Sequence, residues 1–173
     1  AIVNLLELGE GEKVAAILPI ADLANVDDSL SVLTVTKFGR VKKTFISEYK
    51  RPMRKGKFGL TIRDDDEILS AAITSGDDEI FLVTKQGLSI HFHESDVRAM
   101  GRLAAGVKGI TLAEGDAVAG VAVLKSDDSI LTVTENGYGK RTAVSEYRLQ
   151  SRGGKGVFTI KTSERNGQVV GVL

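Results

Sequence analysis

The run Leu30-Ser31-Val32-Leu33-Thr34-Val35-Thr36, followed by Lys37-Phe38-Gly39 and by Arg40-Val41-Lys42-Lys43-Thr44-Phe45-Ile46, decides the fold. Its first seven residues alternate in polarity and carry many β-branched side chains, so they read as a strand. Lys37-Phe38-Gly39 is a tight turn, with glycine where the backbone is expected to take a positive φ. Arg40–Ile46 is the return strand. It puts Arg40, Lys42 and Thr44 on one face and Val41, Lys43 and Phe45 on the other.

Working outward, the hairpin recurs. Asp28, Asp78 and Asp128 are spaced by 50 and 50, and Gly39, Gly87 and Gly137 by 48 and 50. Ser47, Ser95 and Ser145 keep spacings of 48 and 50, and Thr61, Thr111 and Thr159 of 50 and 48. A fixed period of this size means a repeat architecture. The units are read as residues 28–76, 77–126 and 127–173, after a half unit over 1–27. In that half unit Leu8-Gly9-Glu10-Gly11-Glu12-Lys13-Val14 lies over Leu112-Ala113-Glu114-Gly115-Asp116-Ala117-Val118. The chain is therefore expected to begin inside a repeat and to be one incomplete domain of a longer array.

Each unit reads as four strands. The first unit has Leu30–Thr36, Arg40–Ile46, Lys57–Arg63 and Glu67–Thr74. The second has Glu79–Thr84, Leu88–Phe92, Val107–Leu112 and Ala117–Leu124. The third has Ser129–Thr134, Tyr138–Val144, Gly156–Lys161 and Gln168–Val172. Helical periodicity is confined to a turn's worth at Glu94–Met100. Four-stranded antiparallel units in series predict an all-β, propeller-like radial array.

Composition sets bounds. The 173 residues hold 42% hydrophobic and 27% charged side chains, as a globular domain does. There is no cysteine, which removes disulfides, thiolate metal sites and thiol nucleophiles. No signal peptide and no long apolar run is present, so a cytoplasmic location is expected. The 23 basic and 23 acidic residues cancel. Their distribution is uneven.

Cations collect in the second strand and the loop after it. Lys37, Arg40, Lys42, Lys43, Lys50, Arg51, Arg54, Lys55 and Lys57 face a single acid, Glu48, in the first unit. The third unit has Lys140, Arg141, Arg148, Arg152 and Lys155 against Glu146, and the second has Arg98, Arg102 and Lys108. Acids occupy other turns: Asp64–Glu67, Asp77–Glu79, Glu114, Asp116, Asp127 and Asp128. If the loops align, the body is neutral in sum with one basic edge. Such an edge binds a polyanion by displacing its counterions. The chain has no recognition helix, no zinc finger and only 5% aromatic residues, so backbone contact to bent duplex DNA is favoured over base reading.

The loop of the third unit, Tyr147-Arg148-Leu149-Gln150-Ser151-Arg152-Gly153-Gly154-Lys155-Gly156, is the most distinctive stretch. Glycine lets a main chain approach phosphate closely, and Arg and Lys supply charge. Gln150, Arg152, Gly153, Gly154, Lys155 and Gly156 resemble the glycine-rich basic box of the DNA gyrase A C-terminal domain family. That box reads Gln, two basic residues, two glycines, a basic residue and glycine. Ile2-Val3-Asn4-Leu5-Leu6, Val97-Arg98-Ala99-Met100-Gly101, Gly106-Val107-Lys108-Gly109-Ile110 and Asn136-Gly137-Tyr138-Gly139-Lys140-Arg141-Thr142 are similar to the same family. Ser151 and Ala104-Ala105 depart from the box. The resemblance implies a β-pinwheel with strands exchanged between blades, whose perimeter wraps duplex DNA for ATP-dependent negative supercoiling. It implies no catalysis here. ATP and Mg2+ would serve other domains, and the rest of gyrase A and the gyrase B subunit would be partners. The topoisomerase IV counterpart is the alternative, and a protein-docking propeller a second one.

Other chemistry is thin. His91 and His93 share a strand face without a third ligand. Asp64-Asp65-Asp66-Glu67 reads as a solvated turn, and Gly137-Tyr138-Gly139 opens no helix. Tyr49, Tyr138 and Tyr147 read as structural. The open edges Ile2–Leu6 and Gln168–Leu173 are expected to fray or to pair with another chain.

Overall fold

The computed structural model describes residues 8–51, 53, 55–63, 65–125 and 127–173. Ile2–Leu6, Arg54 and Asp64 lie outside the described residues. The eleven strands among the described residues are β1 (Ser31–Thr36), β2 (Arg40–Phe45), β3 (Ile68–Thr74), β4 (Glu79–Thr84), β5 (Leu88–His93), β6 (Val107–Lys108), β7 (Val118–Leu124), β8 (Ser129–Thr134), β9 (Gly139–Ala143), β10 (Val157–Phe158) and β11 (Val169–Val172).

They form three antiparallel sheets, in the orders β3-β1-β2-β6, β10-β5-β4-β7 and β11-β8-β9. The β1–β2, β4–β5 and β8–β9 hairpins turn through Gly39, Gly87 and Gly137, at φ of 79°, 84° and 79°. A register shift falls at the end of each first strand, at Val35/Thr36, Val83/Thr84 and opposite Val169/Gly171. Inner strands β3, β7 and β11 pack on one another. A Cβ added at Gly120 on β7 would lie 3.1 Å from the Val172 amide, so the strands approach closely there.

The core lies between blades. On β4, Ile80 and Leu82 join Leu33, Val35, Val41 and Phe92 between the first two sheets. Phe81 and Val83, on its other face, join Ile130, Val144 and Tyr147 against the third. Each such side chain contributes about 1.5–3 kcal/mol of burial. This holds β4 apolar on both faces, whereas the outer β9, Gly-Lys-Arg-Thr-Ala, is largely exposed.

The third segment of each unit departs from the expected four-stranded blade. Val107–Leu112 yields only β6, which pairs with β2 of the preceding unit, not with its own blade. Gly156–Lys161 yields only β10, on β5 of the preceding unit. Lys57–Arg63 forms no strand, and no sheet among the described residues precedes it. The reason is geometric: the loop after the second strand carries the chain across to the neighbouring blade's outer edge. Thr159 is correspondingly out of step with Thr111. The carbonyl of Gly39 accepts from the Gly109 and Ile110 amides, and that of Gly87 from the Thr159 and Ile160 amides, so Thr159 matches Gly109. The helical turn at Glu94–Asp96 has counterparts at Ile46–Tyr49 and Val144–Glu146.

Candidate nucleic-acid interface

The crossing loops are built alike. In the third unit Gly156 sits at φ 77°, and a Cβ there would lie 2.2 Å from the Ser89 carbonyl oxygen. In the second unit a Cβ at Gly106 would lie 2.6 Å from the Val41 oxygen. Both positions need glycine because backbone passes against backbone. Thr111 donates its amide to the Gly154 carbonyl at 2.8 Å and its hydroxyl to that of Gly153 at 2.7 Å. Thr61 repeats the pair, to Ala104 at 3.4 Å and Leu103 at 2.6 Å.

Two arginines strap these loops down. Arg152 donates Nε to the Asp96 carbonyl at 2.8 Å and Nη1 to that of Lys108 at 3.0 Å. Arg102, fifty residues earlier, donates Nη1 to the Phe58 carbonyl at 2.9 Å. Both are half-buried.

The cations of β2 are not surface charges. Lys42 is 1% exposed and donates Nζ to the carbonyls of Gly59 at 2.5 Å and Arg102 at 2.7 Å. Burial, reinforced by the Arg102 guanidinium, pushes its ammonium down to about 8. Lys43 lies 3.2 Å from Glu94 Oε2 and donates to the Glu94 carbonyl at 3.0 Å. Glu94 is fully buried and also accepts from the Gly76 and Asp78 amides, at 2.7 and 3.0 Å. Burial raises the Glu94 carboxyl, and the bonds from Asp78 and Lys43 outweigh it, leaving it below its usual value. Arg40, half-buried, donates to the Ala105 and Gly106 carbonyls at 2.9 and 2.6 Å. These three, expected on the basic edge, instead clasp the next unit's crossing loop or helical turn. Lys57 donates to the Lys50 carbonyl, and both residues are half-buried.

Of the cations expected on the basic edge, the exposed ones are Arg51, Lys55, Arg98, Lys108, Lys140, Arg141, Arg148 and Lys155. No carboxylate among the described residues lies within ion-pair distance of any of them. Arg98 and Arg148 both follow the helical turn, fifty residues apart. Lys55 and Lys155 hold one place in their loops. Lys108 is on the outer strand of the first blade, and Lys140 and Arg141 are on that of the third. Gln150 and Gly153, Gly154 and Gly156 shape the loop that carries Lys155 out. Acids sit at the hairpin turns instead: Asp66 accepts from the Phe38 amide at 2.9 Å, and Asp116 from the Gln86 amide at 3.1 Å.

The remaining candidates have structural surroundings. His91 is buried between Glu79 Oε2 at 2.8 Å and the Tyr147 carbonyl at 3.1 Å, and His93 meets Ser95 and Asp77. No group of three metal-ligating side chains occurs among the described residues. Tyr147 packs edge-on to Phe81 at 4.9 Å and bonds Thr159, while Tyr138 Oη accepts from Arg165 at 3.0 Å. Sequence reasoning missed the arginine straps, although the matched spacing of Arg102 with Arg152 and of Thr61 with Thr111 was visible. No helix among the described residues is long and apolar enough to cross a membrane.

Blades that lend an outer strand backward define a β-propeller of the strand-exchanging kind. The family model of the DNA gyrase C-terminal domain, a β-propeller, matches residues 31–75, 78–125 and 128–173, and the chain belongs to that family. It is similar to the DNA gyrase A protein of Clostridium acetobutylicum, 48% identical over 171 residues, covering 99% of this chain and 20% of that protein. The Escherichia coli K12 gyrase A protein is 46% identical over 172 residues, with 99% and 19% covered. The chain thus spans about a fifth of the length of these relatives. Among solved structures, a DNA gyrase A C-terminal domain superposes with a TM-score of 0.88 at 31% identity, covering 99% of this chain and 57% of the other. The C-terminal domain of DNA topoisomerase IV gives 0.90 at 31% identity, covering 99% and 53%.

Proposed function

We propose that this chain binds duplex DNA along its outer rim and bends it, without a bond-breaking step of its own. In a longer gyrase A protein it would wrap DNA for ATP-dependent negative supercoiling, alongside the rest of that protein and the gyrase B subunit. ATP and Mg2+ would act in those other parts. The observation that supports this best is the sorting of cations. The buried ones clasp blades together, and the exposed ones lie on outer loops and strands with no carboxylate partner among the described residues, Arg98 with Arg148 and Lys55 with Lys155 at matching places in the repeat. Phosphates would then supply affinity, and the cost of bending would supply preference.

The rim consists of Arg51, Lys55, Arg98, Lys108, Lys140, Arg141, Arg148 and Lys155, with Arg102 and Arg152 acting through the loops they hold. Duplex affinity measured against salt tests this. Removing one phosphate contact lowers the slope of log K on log salt by about 0.9, so replacing Lys108, Arg148 and Lys155 with Ala should lower it by about 2–3. An unchanged slope sinks the rim. The topoisomerase IV reading has support in the 0.90 superposition. Plasmid relaxed and religated in the presence of the chain separates the two: a change in linking number reports a handed wrap, and none reports binding with little wrapping. A protein-docking propeller would show no salt-dependent duplex binding.

A further inference from the structure

The outermost strands of the first two blades present different chemistry at one place. On the first, Lys108 of β6 stands opposite Arg40. On the second, Phe158 of β10 stands opposite Leu88. A cationic pair is followed along the rim by an apolar one. Phe158 is 62% exposed although its strand is already hydrogen-bonded to β5, and its neighbour Val157 is 36% exposed. Lys108 is exposed as well, so the position faces outward on both blades. In the first unit the same place holds Phe58, 81% exposed.

The surroundings of Phe158 are cationic. Lys140 Nζ reaches the carbonyl of Thr159, the next residue, at 3.5 Å. Lys155, three residues earlier, is exposed, and so is Arg148 on the same loop. A bare aromatic ring set among exposed ammonium and guanidinium groups does not suit an apolar protein partner, which would have to bury those charges. It suits a duplex. Phosphates on either side satisfy the cations, while the ring meets the base stack between them.

We propose that Phe158 is a DNA-kinking wedge: its ring enters a base step of the duplex gripped by Lys140 and Lys155, and Phe58 does the same two repeats away on the rim. Apolar wedges of this kind unstack a step and kink the duplex by about 20–90°. The bend would then be concentrated at points, and flexible pyrimidine–purine steps would be favoured at those points. This rests on the proposed DNA binding and adds how the bend is made.

The test uses the full chain on a mixed-sequence duplex of about 150 bp, one persistence length. Permanganate oxidation reports unstacked thymines, and end-to-end energy transfer reports the bend. The bound wild-type chain should make thymines at pyrimidine–purine steps hyper-reactive. Phe158→Ala should roughly halve that reactivity and open the bend, with the salt slope unchanged. The Phe58→Ala/Phe158→Ala pair should abolish it, and Phe158→Leu should keep part of it. Both rings are exposed, so the variants should fold, and thermal melting checks this. A wild-type complex no more reactive than free DNA, or a double variant as reactive as wild type, overturns the wedge while leaving rim binding intact. A chain that fails to bind duplex at all overturns both.

Discussion

Lys42 offers a test of the blade clasp that does not involve DNA. Its ammonium is 1% exposed, and burial lowers its pKa from 10.5 to about 8. In the unfolded chain it would hold its proton up to about 10.5. Between those two values the unfolded state binds more protons than the native state, so stability rises with pH across the window. Below pH 8 both states are protonated and the contribution is flat. The gap corresponds to about 3 kcal/mol at about 1.36 kcal/mol per pH unit. The neutral amine retains two N–H groups, enough for the carbonyls of Gly59 and Arg102, so losing the proton need not break either bond. Lys42→Met removes the titration and leaves every other group in place. Urea denaturation of both proteins at pH 8 and pH 9.5 should show wild type gaining about 2 kcal/mol on the variant over that interval. At this size that is about 4–8 °C in Tm. A constant difference between the two proteins would mean that the ammonium is solvated and that the crossing loop does not cover it.

Three further outcomes follow from the same contacts. Gly156→Ala puts a Cβ 2.2 Å from the Ser89 oxygen and should destabilise by about 2–4 kcal/mol, combining overpacking with a positive φ. Gly56→Ala, at φ 73° with no atom of the described residues within 4 Å of the added Cβ, should cost only about 1 kcal/mol in the same chemical denaturation; equal losses would refute the close approach. Glu94→Gln leaves the Lys43 ammonium buried without its charge partner and should cost about 3 kcal/mol. Because the Glu94 carboxyl is held below its ordinary value, its contribution is present above the usual carboxylate range and fades as pH falls through the native value. The variant should therefore lose less stability than wild type between pH 6 and pH 3, as followed by circular dichroism.

The repeat and its hairpins were legible because β1, β4 and β8 are rich in β-branched residues and end in glycine turns, both local properties of the chain. The strand exchange was not readable from Val107-Lys108 or Val157-Phe158 themselves. Two-residue strands have no periodicity, and nothing local says whether the partner belongs to the preceding unit or to the same one. The basic edge was legible as a set of positions but not by member. Lys42 and Lys140 look the same in sequence, yet one is clasped and the other exposed. The difference lies fifty residues away, in whether a crossing loop lies over the strand. The rim aromatics do not stand out in the sequence because a lone Phe in a β-rich chain is ordinarily core.

That contrast explains how a neutral chain can present a cationic edge. Along β2, Lys42 and Lys43 meet carbonyls and a buried carboxylate supplied largely by the second unit. The matching residues on β9, Lys140 and Arg141, are exposed, and among the described residues no strand lies on the outer side of β9. On β5 the matching pair is Ile90 and His91, both buried. One position in the repeat is therefore a clasp, a core residue or a surface charge, according to what the neighbouring unit lays over it. Lys108, Arg148 and Lys155 are different, since they stay exposed with a neighbouring blade in place. Lys140 and Arg141 belong to the rim of this chain all the same, so replacing both with Ala should lower the slope of log K on log salt by up to about 2; an unchanged slope would mean that only cations exposed beside a neighbouring blade meet phosphate.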